Sequence, residues 1–288
     1  MSDEWGADGL DLPAYLDRIR WSGRQEPTVE VLAALHRAHV AAIPFENLDV
    51  FVGRGISVAL ADVQDKLVAR RRGGYCYEHS TVFGAALERF GFEVQRVLAR
   101  VGDPGDGRRP RTHLALIVTL GPSRWLADVG FGSGLLEPAP LDGTPRRQGG
   151  WTHRVIGTPS AWALEELGPD GWTSSHRFAE EQVHPSDVLV SNHFSSTFPR
   201  SPFVRQLVAV RKDEQTLTSL RGHVLTTSYA DGRVAEERVL PDDEVTAVLS
   251  STFGLALTPA DRVALARAFA ATRPVGSAVP VQPQREGF

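Results

Sequence analysis

Arg72-Gly73-Gly74-Tyr75-Cys76-Tyr77-Glu78 sits between two kinds of sequence. Its two glycines are a helix stop, because glycine accepts the left-handed conformation that ends a helix. The residues after them start another helix: Val82, Phe83, Ala86, Leu87 and Phe90 recur at helical spacing until Gly91 closes it. Upstream, Leu12, Tyr15, Leu16 and Ile19 share one face of a helix over 11–20, with Pro13 tolerated in its first turn. Leu32, Leu35, His36 and His39 mark a second over 28–40, and a third is expected over 59–71. Pro44 makes 43–47 a loop.

Beyond Gly91 the period falls towards two. Segments 92–101, 112–120 and 124–129 read as strands rich in Val, Leu and Ile, and 152–156, 161–167 and 172–178 are further strand candidates. The Gly/Pro/Arg-rich run 102–110 is expected at a hairpin tip. Short strands at this spacing suggest a barrel or a sandwich. After Pro202 come strands over 204–212, 223–229 and 233–240, then two helices, the last opened by Thr258 and Pro259. The tail from Pro274 is expected to be disordered. Helices, then strands, then a mixed unit give an α+β class.

With 288 residues, 42 % hydrophobic and 23 % charged, the chain has enough apolar mass for a sizeable core. A net charge of −4 gives no electrostatic footprint for nucleic acid or a membrane surface. The start, 1–9, is acidic and polar rather than basic then apolar, so no signal peptide is read there. A single cysteine excludes an internal disulfide and a CxxC zinc pair, which favours a reducing, cytoplasmic setting.

That cysteine, Cys76, falls in the first turn of its helix, where partial positive charge and free N–H groups favour a thiolate. The same N–H groups can receive an oxyanion. Position alone leaves a second reading open, a small buried hydrophobe. Two further residues bear on the choice. His113 heads an apolar strand, and Asp128 stands where another strand meets a glycine turn. If these strands pair across Gly121-Pro122-Ser123, the two side chains can face each other; Asp128 then fixes the tautomer of His113, which takes the proton of Cys76. A purely structural His–Asp pair would look the same at this level.

The stretch 72–78 closely resembles the active-site motif of the arylamine N-acetyltransferases. Thr112-His113 and Asp128-Val129-Gly130-Phe131-Gly132 resemble that family's histidine and aspartate segments, at separations of 37 and 15 residues. Ile43-Pro44-Phe45-Glu46-Asn47-Leu48 resembles its N-terminal loop, and weaker likenesses run through Asn192, Ser196, Pro199 and 201–203. Ser80 departs from the pattern, standing where many members have asparagine.

The resemblance implies a helical bundle over 1–91 carrying the nucleophile, a β-barrel over 92–200 carrying His113 and Asp128, and an α/β lid over 201–288. It implies a Cys76-His113-Asp128 triad, acetyl-coenzyme A as acyl donor and co-substrate, and an arylamine, arylhydrazine or N-hydroxyarylamine as acceptor. No metal is implied. Phe45 and Phe131 would line the acceptor pocket, and Gly130 and Gly132 would let the backbone approach the acyl donor. Arg108, Arg109 and Arg111 could meet coenzyme A phosphates, though side chains on a hairpin tip are more often simply exposed. His36 and His39 lack a third ligand and read as structural, His79 could share the face of Cys76, and His153, His176, His184, His193 and His223 carry no signal. Competing readings are an amide synthase closing a macrolactam from a carrier-bound polyketide, a cysteine hydrolase, and a binding protein with a relic site. Papain-type spacing, with histidine about 130 residues or more after cysteine, speaks against the hydrolase.

Overall fold

The structure is a computed structural model and describes residues 4–102 and 109–272. The expected disordered tail, Arg108 and most of the expected hairpin tip lie outside the described residues.

A short 3-10 turn at Ala7–Gly9 and then four α-helices precede the motif. Helix α1 spans Leu12–Arg18 and α2 spans Val29–Ala42, capped by the Thr28 hydroxyl, which accepts from the Val31 N–H at 3.3 Å. The loop expected at Pro44 holds a two-residue strand, β1 (Phe45–Glu46), and runs into α3 (Leu48–Phe51). The helix expected over 59–71 is shorter. Helix α4 covers Leu60–Gln64, widens into a π-turn at Asp65–Ala69, and breaks at Arg71, whose φ is +51°. Helix α5, Cys76–Arg89, begins at the cysteine and buries Val82, Phe83, Ala86 and Leu87 against Tyr15, Leu32 and Leu35.

Eight strands then form one antiparallel sheet: β2 (Glu93–Val101), β3 (His113–Leu120), β4 (Ser123–Ala127), β5 (Ala139–Pro140), β6 (Arg146–Gln148), β7 (Trp151–Thr158), β8 (Ala161–Gly168) and β9 (Gly171–Phe178). Their order is β5-β4-β3-β2-β9-β8-β7-β6, and β5 returns against β7, so the sheet curls into a nearly closed barrel. Strand β3 is buried on both faces. Leu116 and Val118 pack on the helices, while Ala115 and Ile117 pack inside the barrel with Val97, Leu126, Val155 and Leu164.

Helix α6 (Pro185–Thr197) comes next and is not expected from the sequence. Its buried residues Val188, Ser191, Asn192 and Ser195 are spaced as a helix face but are mostly polar, so no apolar stripe announces it. The strand expected over 204–212 is a short helix, α7 (Pro202–Arg205), followed by β10 (Val208–Lys212). A second sheet has the order β1-β10-β11-β12-β13, with β11 at Thr216–Arg221, β12 at Val224–Tyr229 and β13 at Val234–Val239. Strand β11 is absent from the sequence reading: its polar Thr and Ser residues are partly exposed and only Leu220 is fully buried. The two expected helices, α8 (Asp242–Ser251) and α9 (Pro259–Thr272), close a third core with Leu207, Leu225 and Phe253. Among the described residues no helix is long and apolar enough to cross a membrane.

Candidate active site

Cys76 is the first residue of α5 and is buried, with Sγ 3.8 Å from the Thr112 carbonyl oxygen. Strands β3 and β4 pair antiparallel, Leu120 opposite Ser123 and Leu116 opposite Ala127, across the turn expected from the sequence. That register brings His113, at the head of β3, to Asp128, just past β4: His113 Nε2 donates to Asp128 Oδ2 at 2.7 Å. The other carboxylate oxygen accepts the Gly130 N–H at 3.1 Å. With Nε2 engaged, Nδ1 is the nitrogen left for Cys76, whose side chain lies close enough to favour charge on this imidazole. Burial disfavours charge on His113, but the Asp128 carboxylate and Cys76 overcome it and lift its pKa to about 10. Burial also disfavours charge on Asp128, and His113 outweighs it, bringing the carboxyl down to about 2. The pair is therefore an imidazolium beside a carboxylate across the neutral range.

A cavity of about 270 Å³ opens on Cys76 and His113. Phe45 and Phe131 both line it; the Phe131 ring stands edge-on to His113 with centroids 5.2 Å apart. Phe194 and Phe203 add apolar wall that the sequence reading does not assign to a pocket. Of the two glycines expected near the donor, Gly130 lines the cavity, and a Cβ there would lie 2.9 Å from the Cys76 Cα. Gly132 lies behind, with φ +79° and room for a Cβ only 3.0 Å from Phe45. Among the described residues lining the cavity, Arg109 and Arg221 supply positive charge and no Asp or Glu is present. Arg111 instead pairs with Glu181.

What holds the start of α5 is a closed network of charges. Arg72 is 2 % exposed and donates to Glu46 Oε1 from Nε at 3.0 Å and Nη2 at 2.7 Å. Lys66 lies 2.9 Å from Asp49 and 2.8 Å from Glu78, and Arg54 joins Asp49 to Asp261 of α9. Glu78 also accepts the Tyr75 N–H at 3.0 Å, half of a capping arrangement at the helix start. Burial raises Glu78 to about 7 against the pull of Lys66. Arg72 is thus a buried partner of the 43–48 loop.

Neutral histidines pack the other side of this helix. His79 Nε2 faces the carbonyls of Gly74 at 3.0 Å and Pro44 at 3.3 Å, so it carries the proton. Its Nδ1 must then accept from His39 Nε2 at 2.8 Å, and His39 Nδ1 accepts from the Tyr15 hydroxyl at 2.8 Å. Burial lowers His79 to about 4, in keeping with this uncharged chain. His36 Nδ1 donates to the Leu136 carbonyl at 3.0 Å instead, so His36 and His39 do not converge. Ser80, the departure from the family pattern, donates to the Leu114 carbonyl at 2.7 Å and ties α5 to β3 beside His113.

Helix α6 grips both tyrosines flanking the cysteine. Tyr75 hydrogen-bonds to Asn192, and the Tyr77 hydroxyl lies 3.0 Å from that of Ser195. His176, on β9, is a member of the site that the sequence reading does not find. It is fully buried, its ring centroid is 4.8 Å from that of His113, and its Nε2 lies 3.5 Å from Asp128 Oδ2. Nothing in its local sequence separates it from other strand histidines; the signal is its place beside Val101 on β9, next to the strand that pairs with β3.

A family profile described as N-acetyltransferase matches residues 28–263. The arylamine N-acetyltransferase of Escherichia coli K12 is 36 % identical over 278 residues, covering 90 % of this chain and 96 % of that protein. The crystal structure of the Nocardia farcinica arylamine N-acetyltransferase superposes with a TM-score of 0.84 at 39 % identity, covering 91 % of this chain and 95 % of that one. The Mycobacterium marinum arylamine N-acetyltransferase, solved in complex with CoA, has a TM-score of 0.84 at 33 % identity, covering 91 % of this chain and 99 % of that one. A buried cysteine at a helix start, a barrel that brings a histidine to an aspartate, and likeness along nine-tenths of the chain agree: this chain belongs to the arylamine N-acetyltransferase family.

Proposed function

We propose that this chain transfers acetyl groups from acetyl-coenzyme A to arylamines, arylhydrazines or N-hydroxyarylamines through an acetyl-cysteine, with Cys76, His113 and Asp128 as its triad. The observation that carries this reading is the shared cavity: Cys76 and His113 both open onto it, while Asp128 stays behind His113 out of solvent. Coenzyme A as the carrier is supported by the Mycobacterium marinum complex and by a cavity wall with Arg109 and Arg221 and no carboxylate. A polyanionic donor suits that wall. The setting of a lone reduced thiol is the cytoplasm, and the chain divides into a bundle over 1–91, a barrel over 92–200 and a lid over 201–288.

The Cys76 thiolate, paired with imidazolium His113, attacks the thioester carbonyl. Backbone N–H groups at the start of α5, including that of Cys76, receive the oxyanion. Coenzyme A leaves as the thiol with the proton of His113, which becomes neutral beside the acetyl-cysteine. An arylamine is weakly basic and arrives unprotonated. Its nitrogen attacks the acetyl group, His113 takes the excess proton, and collapse restores the thiolate–imidazolium pair. Phe45 and Phe131 hold the aromatic acceptor, and the apolar wall keeps water from the acetyl-enzyme. Gly130 lets the backbone lie against Cys76, and with Gly132 it keeps the donor's approach clear of side chains.

Initial rates measured over a grid of acetyl-coenzyme A and arylamine concentrations test this directly. Parallel double-reciprocal lines are expected. Intersecting lines would show a ternary complex and refute the acetyl-cysteine route.

A further inference from the structure

A buried imidazole always has at least one N–H to satisfy, and leaving it without a partner costs about 1–3 kcal/mol. His176 is 0 % exposed, and neither of its nitrogens makes a hydrogen bond. Its rings of contact are His113 at 4.8 Å, Phe131 at 5.2 Å and Phe178 at 6.0 Å between centroids. Its Nε2 points to the side of Asp128 that already holds His113: Nε2 to Oδ2 is 3.5 Å, against 2.7 Å for His113. Oδ2 has a second lone pair, and a closure of about half an ångström makes a hydrogen bond of ordinary length.

We propose that His176 is a positioning residue for this reaction: a neutral imidazole, with its proton on Nε2, that serves as second donor to Asp128 Oδ2 and sets how strongly Asp128 holds the proton of His113. The proposal rests on the acetyl-cysteine mechanism above, in which His113 must be neutral to accept the proton of the incoming amine.

The charges around the cluster fit a neutral His176. Cys76 approaches His113 from α5, His113 stands on β3, Asp128 follows β4, and His36 reaches Asp128 from α2, itself lowered by burial to about 4. Burial first, and the His113 charge second, bring His176 down to about 3. It therefore stays uncharged while His113 cycles. A second donor on Oδ2 stabilises the Asp128 anion and weakens its pull on His113, so His113 gives up its proton at lower pH. Removing that donor leaves Asp128 a stronger acceptor and keeps His113 protonated to higher pH.

The test is the pH dependence of single-turnover deacetylation, with acetyl-enzyme prepared first and then mixed with arylamine. His176→Phe keeps a ring of similar volume without the donor. The midpoint of the rise in rate with pH is expected to move up by about half to one pH unit, a loss of roughly three- to tenfold on the acid side of the curve. His176→Gln places an amide N–H near the position of Nε2 and is expected to return the midpoint most of the way. The same midpoint in all three proteins, even with lower rates or lower melting temperatures, makes His176 a packing residue and overturns the proposal; so does a shift to lower pH. A measurement on the wild-type protein does not depend on the variants folding. ¹⁵N NMR of labelled histidines between pH 5 and 9 is expected to show His176 neutral with its proton on Nε2, and a proton on Nδ1 or a charged ring would overturn it. If the wild type formed no acetyl-enzyme at all, the mechanism would fail, whatever the tautomer of His176.

Discussion

Two buried ionic groups flank the first turn of α5, and they differ in one respect. The His113–Asp128 pair opens on the cavity through the imidazole edge, whereas the network of Glu46, Arg72, Asp49, Lys66 and Glu78 does not reach it. Both hold charge out of water, and both carry shifted pKa values. On the proposed mechanism, burial and a pKa shift do not separate the reacting group from the structural one; access does. The closed network ties the 43–48 loop, the Arg72 turn and α9 to the helix that presents Cys76. The open pair leaves one ring nitrogen for a reactant.

Substitutions that break one group at a time put that difference to the test, with activity expressed per folded molecule. The largest effect is expected at the point both groups serve. Cys76→Ser leaves a hydroxyl that His113 does not ionise, and turnover is expected to fall by up to about 10⁶-fold, the scale seen when a nucleophile is lost from groups that act as a unit. Circular dichroism is expected to remain native, and substantial remaining turnover would remove the nucleophile assignment. In the open pair, Asp128→Asn presents the wrong hydrogen-bonding partner to His113. A loss approaching 10⁴-fold in turnover is expected by analogy with serine triads, about the upper limit because a cysteine at a helix start is already partly activated. An unchanged single-turnover acetylation rate would make Asp128 a structural residue.

In the closed network the expectation reverses. Glu46→Gln leaves Arg72 buried with its main counter-charge gone, and denaturant unfolding is expected to show about 3–5 kcal/mol lost. Acetylation by the molecules that stay folded is expected to be near normal. A stable variant with a large loss of turnover would erase the distinction between the two groups. Asn192→Ala removes the α6 partner of Tyr75 and is expected to cost about 1–3 kcal/mol in the same measurement.

The last effect is one of pH. His113 is raised to about 10, so its share of the pair's stabilisation is full below its unfolded value near 6.5 and fades as pH rises towards 10. Asp128 is lowered to about 2, so its share is full above about 4 and fades as pH falls towards 2. The stability difference between wild type and Asp128→Asn is therefore expected to be level between about pH 4 and 6.5 and to shrink on either side. A difference that grew from pH 7 to 10 would contradict the charge state given to His113.

Cys76, His113 and Asp128 stand out in the sequence because each interrupts something regular, Cys76 at a glycine stop and the other two at the ends of apolar strands joined by a short turn. The family motif rather than this pattern is what joins them as a triad. Helices α2 and α5 are readable because apolar residues recur at helical spacing on the faces they bury, Leu32 and Leu35 in one and Val82, Phe83, Ala86 and Leu87 in the other. Helix α6 is not, since the face it buries presents Ser191, Asn192 and Ser195 to the two tyrosines, and hydrophobic periodicity has nothing to register. The widening of α4 is hidden for a related reason: it accompanies Lys66, whose inward seat depends on Asp49 and Glu78 elsewhere in the chain. His176 is invisible because its partner is reached across two strand pairings, β9 to β2 and β2 to β3, that no local pattern encodes.

All of this turns on whether the thiol at the start of α5 carries the acetyl group. Intact-mass and peptide mass spectrometry after incubation with acetyl-coenzyme A, with no acceptor present, reads that out directly. One added acetyl group on the peptide containing Cys76, discharged when an arylamine is supplied, is the result expected. An unmodified Cys76, or an acetyl group lodged on another residue, would contradict the account.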